Sequence, residues 1–225
     1  MTRTNWAAIT AVVLALLFAG AATVASAGRE DSPRASATPT ADSAEAGFAR
    51  DMAVHHQQAV EMSFLVRDST DDEEVRRLAY DIANTQANQR GMLLGWLDMW
   101  KLPKISTDQE PMAWMAEDGD HTGMEGMEGM DHGAHEVRDG SLMPGMATKT
   151  ELETLRTAKG EKAEILYLQL MTDHHKGGVT MAEGCAELCE VDTERALAEG
   201  MVTAQQSELD LMADLLKARG AKPRA

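Results

Sequence analysis

Basic residues are in short supply: 21 Lys and Arg stand against 37 Asp and Glu in a chain of 225, a formal charge of −16. A surface of that balance repels a phosphate backbone, so nucleic acid is not the expected partner. The same acidity attracts cations without selectivity and is also an ordinary means of staying soluble, so charge alone selects no function. Cysteine is limited to Cys185 and Cys189, neither near the N-terminal cleavage point described below, which argues against a lipoprotein anchor. The helical stretches hold no Glu-x-x-His, the pair that a ferritin-like di-iron oxidase places on two of its helices. Runs of β-branched residues are few, and Gly and Pro cluster between Pro103 and Gly145; outside that insert Ala, Leu, Glu, Gln and Met dominate, so the chain reads as helical.

Histidine is scarce too, with seven in all, yet four sit as adjacent pairs in two similar phrases, FARDMAVHHQQAVEM (48–62) and YLQLMTDHHKGGVTM (167–181). Sliding the chain by 119 residues aligns 48–97 with 167–216 without a gap and leaves ten positions identical, among them Met52/Met171, His55/His174, His56/His175, Met62/Met181, Arg76/Arg195 and Gln86/Gln205. Gln89/Glu208 is similar in kind. An internal repeat therefore frames the fold.

The first 27 residues carry one basic residue, Arg3, an apolar run over 7–22, and Ala25-Ser26-Ala27, the small-x-small pattern of a secretory signal peptide. An uncleaved membrane anchor is the rival reading, since the apolar stretch approaches the roughly 17 residues needed to span a bilayer. Residues 28–45, rich in Ser, Ala, Thr and Pro, read as a flexible tether. The expected location is the periplasm, the cell surface or the medium.

The domain proper, 46–220, is expected to be all-α: a four-helix bundle built from two duplicated hairpins. Helices are predicted over 48–67, 73–100, 161–190 and 193–219, with turn and N-cap chemistry at Ser69-Thr70-Asp71-Asp72 and a cap at Asp192 or Thr193. The hairpins occupy 48–100 and 161–219, and a long Met- and His-rich crossover, 103–150, joins them.

At about 100° per residue, Met52, His55, His56, Ala59, Ser63 and Val66 share one inward stripe, with Met62 on its margin. Met171, His174, His175, Gly178, Ala182, Cys185 and Cys189 share the equivalent stripe, with Met181 on its margin. Thioether and thiolate sulfur suit Cu(I) or Ag(I), and imidazole accepts copper in either oxidation state as well as zinc and iron, so the set points first to copper, Cu(I) ahead of Cu(II). The opposing readings are that the methionines fill the core and the His pairs simply pack. Ala59 and Gly178 leave room for an ion, a ligand or a close partner helix. Asp51 and Asp173 either orient an imidazole or are solvated, and Gln86 and Gln205 either reach the rings or satisfy interior backbone and water. Cys185 and Cys189 lack counterparts in the first repeat, where Val66 and Thr70 stand; metal ligation, a disulfide and buried thiols remain open.

Residues 112–146 hold seven methionines, three histidines and eight acidic residues. Such a segment builds no core. GMEGMEGM spaces Met124, Met127 and Met130 every third residue, and His132 and His135 follow, so the insert reads as a copper- or silver-scavenging segment rather than a plain linker. Trp114 either docks the insert on the bundle or shields a Cu(I) site.

The doubled MxxHHxx(A/G)xxM pattern, here Met52-His55-His56-Ala59-Met62 and Met171-His174-His175-Gly178-Met181, resembles the domain of unknown function 305 family, and TQANQRGMLLGWL (85–97) is similar to its second helix. The resemblance implies an exported ferritin-like bundle, with copper binding and resistance through Met and His in some members and no established enzymatic activity. Cys185 and Cys189 depart from its pattern. The leading expectation is an exported copper-binding protein, not an enzyme, acting in buffering, sequestration or delivery, with the metal ion and, for delivery, another exported copper protein as partners. A metal-dependent oxidase and a metal-free interaction bundle are the alternatives.

Overall fold

The protein is described here from a computed structural model covering residues 38–116 and 139–224. Its fold is an all-α bundle of four long helices and one short one: α1 (Ala44–Arg67), α2 (Glu73–Trp100), α3 (Lys149–Thr157), α4 (Glu161–Leu188) and α5 (Asp192–Ala218), with no strand among the described residues. Helices α1 and α4 cross at the centre, α2 packs on α1, and α5 packs on α4. The signal-peptide and anchor expectations, the tether up to 37, and Met124, Met127, Met130, His132 and His135 lie outside the described residues. No helix among those described is long and apolar enough to cross a membrane.

Why α1 and α4 occupy the centre is visible in their composition. Ala46, Phe48, Ala49, Met52, Ala53, Ala59 and Met62 bury almost every face of α1, which small side chains permit without crowding. By contrast α2 buries a single stripe, Val75, Leu78, Ala79, Ile82, Ala83, Gln86, Leu93 and Leu97, and turns its charged side to water.

Hydrogen bonds recur at the 119-residue offset. Arg76 donates to the Thr70 carbonyl at 3.2 Å, and Arg195 donates to the Cys189 carbonyl at 3.0 Å. Arg50 holds the Pro103 carbonyl at 2.9 Å, and Gln169 holds that of Lys222 at 2.8 Å. The backbone N–H groups of Leu102 and Ala221 close the ends of α2 and α5 on the carbonyls of Leu97 and Leu216. Each hairpin is thus clamped at its turn and at its open end by bonds at equivalent positions.

Four helix boundaries differ from expectation, the smallest being the end of α5 at Ala218 rather than Arg219. Helix α1 starts at Ala44, not Phe48, because the Ser43 hydroxyl caps it by accepting from the Ala46 N–H; Ala44 and Glu45, expected in the tether, form its first turn. Glu45 is buried and reaches across the bundle, accepting from the Glu190 N–H at 2.6 Å and the Val191 N–H at 3.3 Å. That carboxylate holds the two residues before α5, which begins at Asp192 with Val191 as an N-cap lacking a side-chain bond, so neither Asp192 nor Thr193 caps it, and α4 ends at Leu188. The crossover also contains α3, which was not expected. Thr148 and Glu151 form a reciprocal capping box at its start, and Leu155 anchors it in the core.

Candidate metal centre

His55 and His56 on α1 and His174 and His175 on α4 are all completely buried where the two helices cross. The rings of His55 and His174 stack with centroids 3.7 Å apart and planes tilted by 30°. Two stacked imidazoles at that separation tolerate no shared positive charge. Burial above all, reinforced by the neighbouring histidines, holds the pKa values of His55 and His174 well below the usual 6.5. His56 is pushed down to about 3, mainly by burial, with the Gln89 side chain opposing the shift and His175 adding to it. These three rings are neutral at physiological pH.

Two further bonds fix tautomers. His174 Nε2 lies 3.0 Å from the His55 carbonyl oxygen, and His175 Nε2 lies 2.7 Å from Glu208 Oε2. A carbonyl and a carboxylate both accept, so each Nε2 carries a proton, and on the neutral His174 ring Nδ1 keeps its lone pair. Neither Nδ1 has a partner, and neither do the two ring nitrogens of His55 or of His56: six buried imidazole nitrogens lack a well-directed hydrogen bond among the described residues. The Pro144 carbonyl and the Gln89 amide approach His55 and His56 closely enough to favour the protonated rings without completing such a bond.

A strap formed by Met143–Ala147 closes this chamber from the side. Gln58 of α1 pairs with Ala147 in both directions, donating to its carbonyl at 2.9 Å and accepting from its N–H at 2.7 Å. The position equivalent to Gln58 in α4 is Gly177, and a Cβ there would lie 2.8 Å from the Pro144 carbonyl carbon and 3.3 Å from the Gly145 Cα. Gly145 itself has φ +78°, and a Cβ on it would come within 3.0 Å of the Asp173 carbonyl carbon. Met143 is buried and Met146 half-buried against the same core cluster that holds Met52 and Met181.

The other anchor of the insert sits on α1 and α4 as well. Asp51 Oδ2 accepts from the Met112 N–H at 2.7 Å and from the Trp114 indole N–H at 2.9 Å, while burial raises its pKa against the lowering effect of those two bonds. Trp114 packs edge-on to Phe48 at 5.7 Å and fills the space left by Gly47. Asp51 therefore anchors the insert and does not orient an imidazole, and Trp114 docks it. Asp173 pairs with Arg224 at 3.3 Å rather than with a histidine.

The expected thioethers divide between two core clusters, Met52 and Met181 in one, Met62 and Met171 in the other. All four are buried. Gln86 makes no side-chain bond, and Gln205 presses its Oε1 against Gly178, which explains why that residue is small. The residue that reaches a ring is instead Glu208, with Gln89 at the equivalent place; their recurrence three residues beyond the glutamine pair was the available signal. Cys185 and Cys189 are joined in a disulfide, so neither is a thiolate in this oxidation state. Among the described residues, no three His, Cys, Asp or Glu side chains converge as a ready-made ion site.

The family described as "Domain of unknown function (DUF305)" matches residues 45–216. A predicted secreted DUF305 protein of Streptomyces coelicolor, solved by crystallography, is 59% identical, with a TM-score of 0.70 over 83% of this chain and 99% of that one. A DUF305 fragment from Deinococcus radiodurans is 25% identical, with a TM-score of 0.58 over 78% of this chain and 96% of its own. CopM, solved in a Cu(I)-bound form, shares the fold at 18% identity and a TM-score of 0.53 over 76% of this chain and 94% of its own. It was also solved with Cu(II) and with Ag. No curated protein matches.

Proposed function

The chain belongs to the DUF305 family, and from that membership together with the buried imidazoles we propose that it binds Cu(I) outside the cytoplasm, for buffering, sequestration or delivery. The six unpartnered ring nitrogens carry the reading. Leaving a polar group buried without a protein partner costs about 1 to 3 kcal/mol, so several such nitrogens in one chamber weigh heavily against the stability margin of a domain. Imidazoles held neutral by burial, set beside buried thioethers, suit a soft cation, because neutral donors supply lone pairs without repelling its charge. The Nδ1 atoms of His174 and His175 are the donors this reading favours, since each Nε2 is engaged, and Glu208 orients the His175 ring from behind.

The His55 and His174 rings must unstack to converge on one ion, drawing on Met52, Met62, Met171 and Met181 at the margins. A conformational step of that kind fits a protein that takes up and releases its cargo. The copper and silver forms of CopM support the metal class, and the secreted relative supports export. On this reading Met124, Met127, Met130, His132 and His135 form a separate, weaker scavenging segment, and residues 1–27 direct export.

Anaerobic titration of the oxidised protein against a colorimetric Cu(I) chelator tests the proposal. Three forms are compared: wild type, a deletion confined to 117–138 that keeps both anchors, and a variant with His55, His56, His174 and His175 all changed to Ala. The deletion is expected to keep the tight ion and the histidine variant to lose it. Met52→Leu with Met181→Leu supplies a second, isosteric probe should the histidine variant lose its helicity. Equal affinity in every form refutes the assignment.

A further inference from the structure

We propose that the Cys185–Cys189 disulfide is a redox latch on a second soft-metal site: its reduction frees two thiols that, with Met181, hold one Cu(I) or Ag(I) ion. Met181 and Cys185 stand four residues apart on α4, Cys189 is the C-cap residue that follows the helix, and all three are buried in one cluster with Met52, Met143 and Met201. Met115, in the anchored start of the insert, places its sulfur 3.2 Å from where a Cβ on Gly184 would stand. Sulfur is therefore concentrated at this end of the bundle, while the opposite cluster holds Met62, Met171 and Met212 and no cysteine.

The fold does not need the cross-link. At the equivalent turn of the first hairpin, Val66 and Thr70 occupy the two positions, Val66 is fully buried, and the Thr70 carbonyl receives Arg76 as the Cys189 carbonyl receives Arg195. Closing a ring of four residues within an already helical turn also restrains little of the unfolded chain. A bond the architecture can do without, set among thioethers, is better explained by what breaking it releases.

The reaction balances with a dithiol as reductant. Two electrons break the Cys185–Cys189 bond and two protons pass to its sulfurs, while the dithiol closes its own disulfide. Both cysteines lie at the C-terminal end of α4, and a soft cation binding there displaces the two thiol protons to solvent. The site goes beyond the imidazole centre and does not depend on it, because the imidazole centre is read in the oxidised protein.

The measurement is Cu(I) stoichiometry on the full exported chain, oxidised or treated with dithiothreitol and desalted without air, followed by chelator titration and near-ultraviolet absorption. Reduced protein is expected to bind one ion more than oxidised protein, with a new thiolate-to-copper charge-transfer band. Cys185→Ser with Cys189→Ser should bind the same number with or without reduction, matching oxidised wild type. Reduced wild type alkylated with iodoacetamide gives the same comparison without a sequence change. The latch is overturned if stoichiometry does not rise, if the rise persists after alkylation or in the serine variant, or if thiol titration shows that the folded protein resists reduction. Loss of the histidine site with the gain on reduction intact would fell the imidazole proposal alone.

Discussion

Gly177→Ala is the sharpest test of how the strap and the histidine chamber are joined. In an exposed helix the change from Gly to Ala stabilises by about 1 kcal/mol, through helix propensity. Gly200 provides that reference, since a Cβ there has nothing within 4 Å. At Gly177 the same methyl overlaps the Pro144 carbonyl, which is backbone and cannot rotate away, so the strap must lift from α4. Lifting it separates Ala147 from Gln58 and orphans two buried bonds now at 2.9 and 2.7 Å. Each orphaned pair costs about 1 to 3 kcal/mol, so the two together exceed the propensity gain and give a net loss of about 1 to 5 kcal/mol. Urea unfolding of the metal-free protein reads the balance, and hydrogen exchange at the Ala147 amide reads the mechanism. Gly200→Ala should raise the midpoint, and Gly177→Ala should lower it and deprotect Ala147. Equal midpoints for the two variants, or an Ala147 amide still protected in Gly177→Ala, would refute the clamp.

Three further outcomes are expected. Glu194 is fully buried with both carboxyl oxygens unpartnered, and burial, with Glu45 adding repulsion, pushes its pKa from 4.5 up to about 9. The folded state therefore holds a proton that the unfolded state releases above 4.5, so stability falls as pH rises from 4.5 to 9, by about 1.4 kcal/mol per pH unit. Chemical denaturation of Glu194→Gln between pH 5 and 8 should show that slope removed, and Glu194→Val, matching Val75 in the first hairpin, should be more stable than wild type at pH 8; an unchanged slope counts against the protonated carboxyl. In metal-free protein the depressed pKa values of His55, His56 and His174 give stability that is present above pH 6.5 and lost below it, His56 alone costing on the order of 2 kcal/mol at pH 5. A melting temperature flat between pH 7 and pH 5 would contradict this. Finally, Glu208→Gln, which copies Gln89, should weaken Cu(I) binding by about 10- to 100-fold in chelator competition while leaving the fold intact, and unchanged affinity would show that the carboxylate does not tune His175.

The four long helices and their pairing were legible because repetition and 3.6-residue periodicity are local signals, and the inward position of the histidines followed from them. Thr148 and Glu151 also carried a local signal, a capping box, which a polar nine-residue helix made easy to pass over. The role of Glu45 was not legible, because its acceptors are used by N–H groups 145 and 146 residues away. Nor was the strap: Met143, Pro144 and Gly145 acquire meaning only through Gln58 and Gly177, which look unrelated until the two helices cross. Gln86 and Gln89 share a helix face, and which of them reaches a ring depends on the offset of two helix axes, a quantity that spacing along one helix does not contain. The spacing of Cys185 and Cys189 suits a disulfide and a metal pair alike, so oxidation state had to come from the structure.

A single peptide cannot lie between two repeated hairpins and treat both alike. The strap meets the first helix of each hairpin at the same register position, yet it is gripped by an amide side chain at Gln58 and by bare backbone at Gly177. The halves are therefore no longer interchangeable: a glycine at 58 would leave Ala147 unheld, and a glutamine at 177 would evict Pro144. Two identical hairpins could assemble as a dimer with no crossover, but joining them with one covalent segment obliges their sequences to diverge where that segment is seated. Asymmetry at the histidine chamber is thus a consequence of having one connection between two copies.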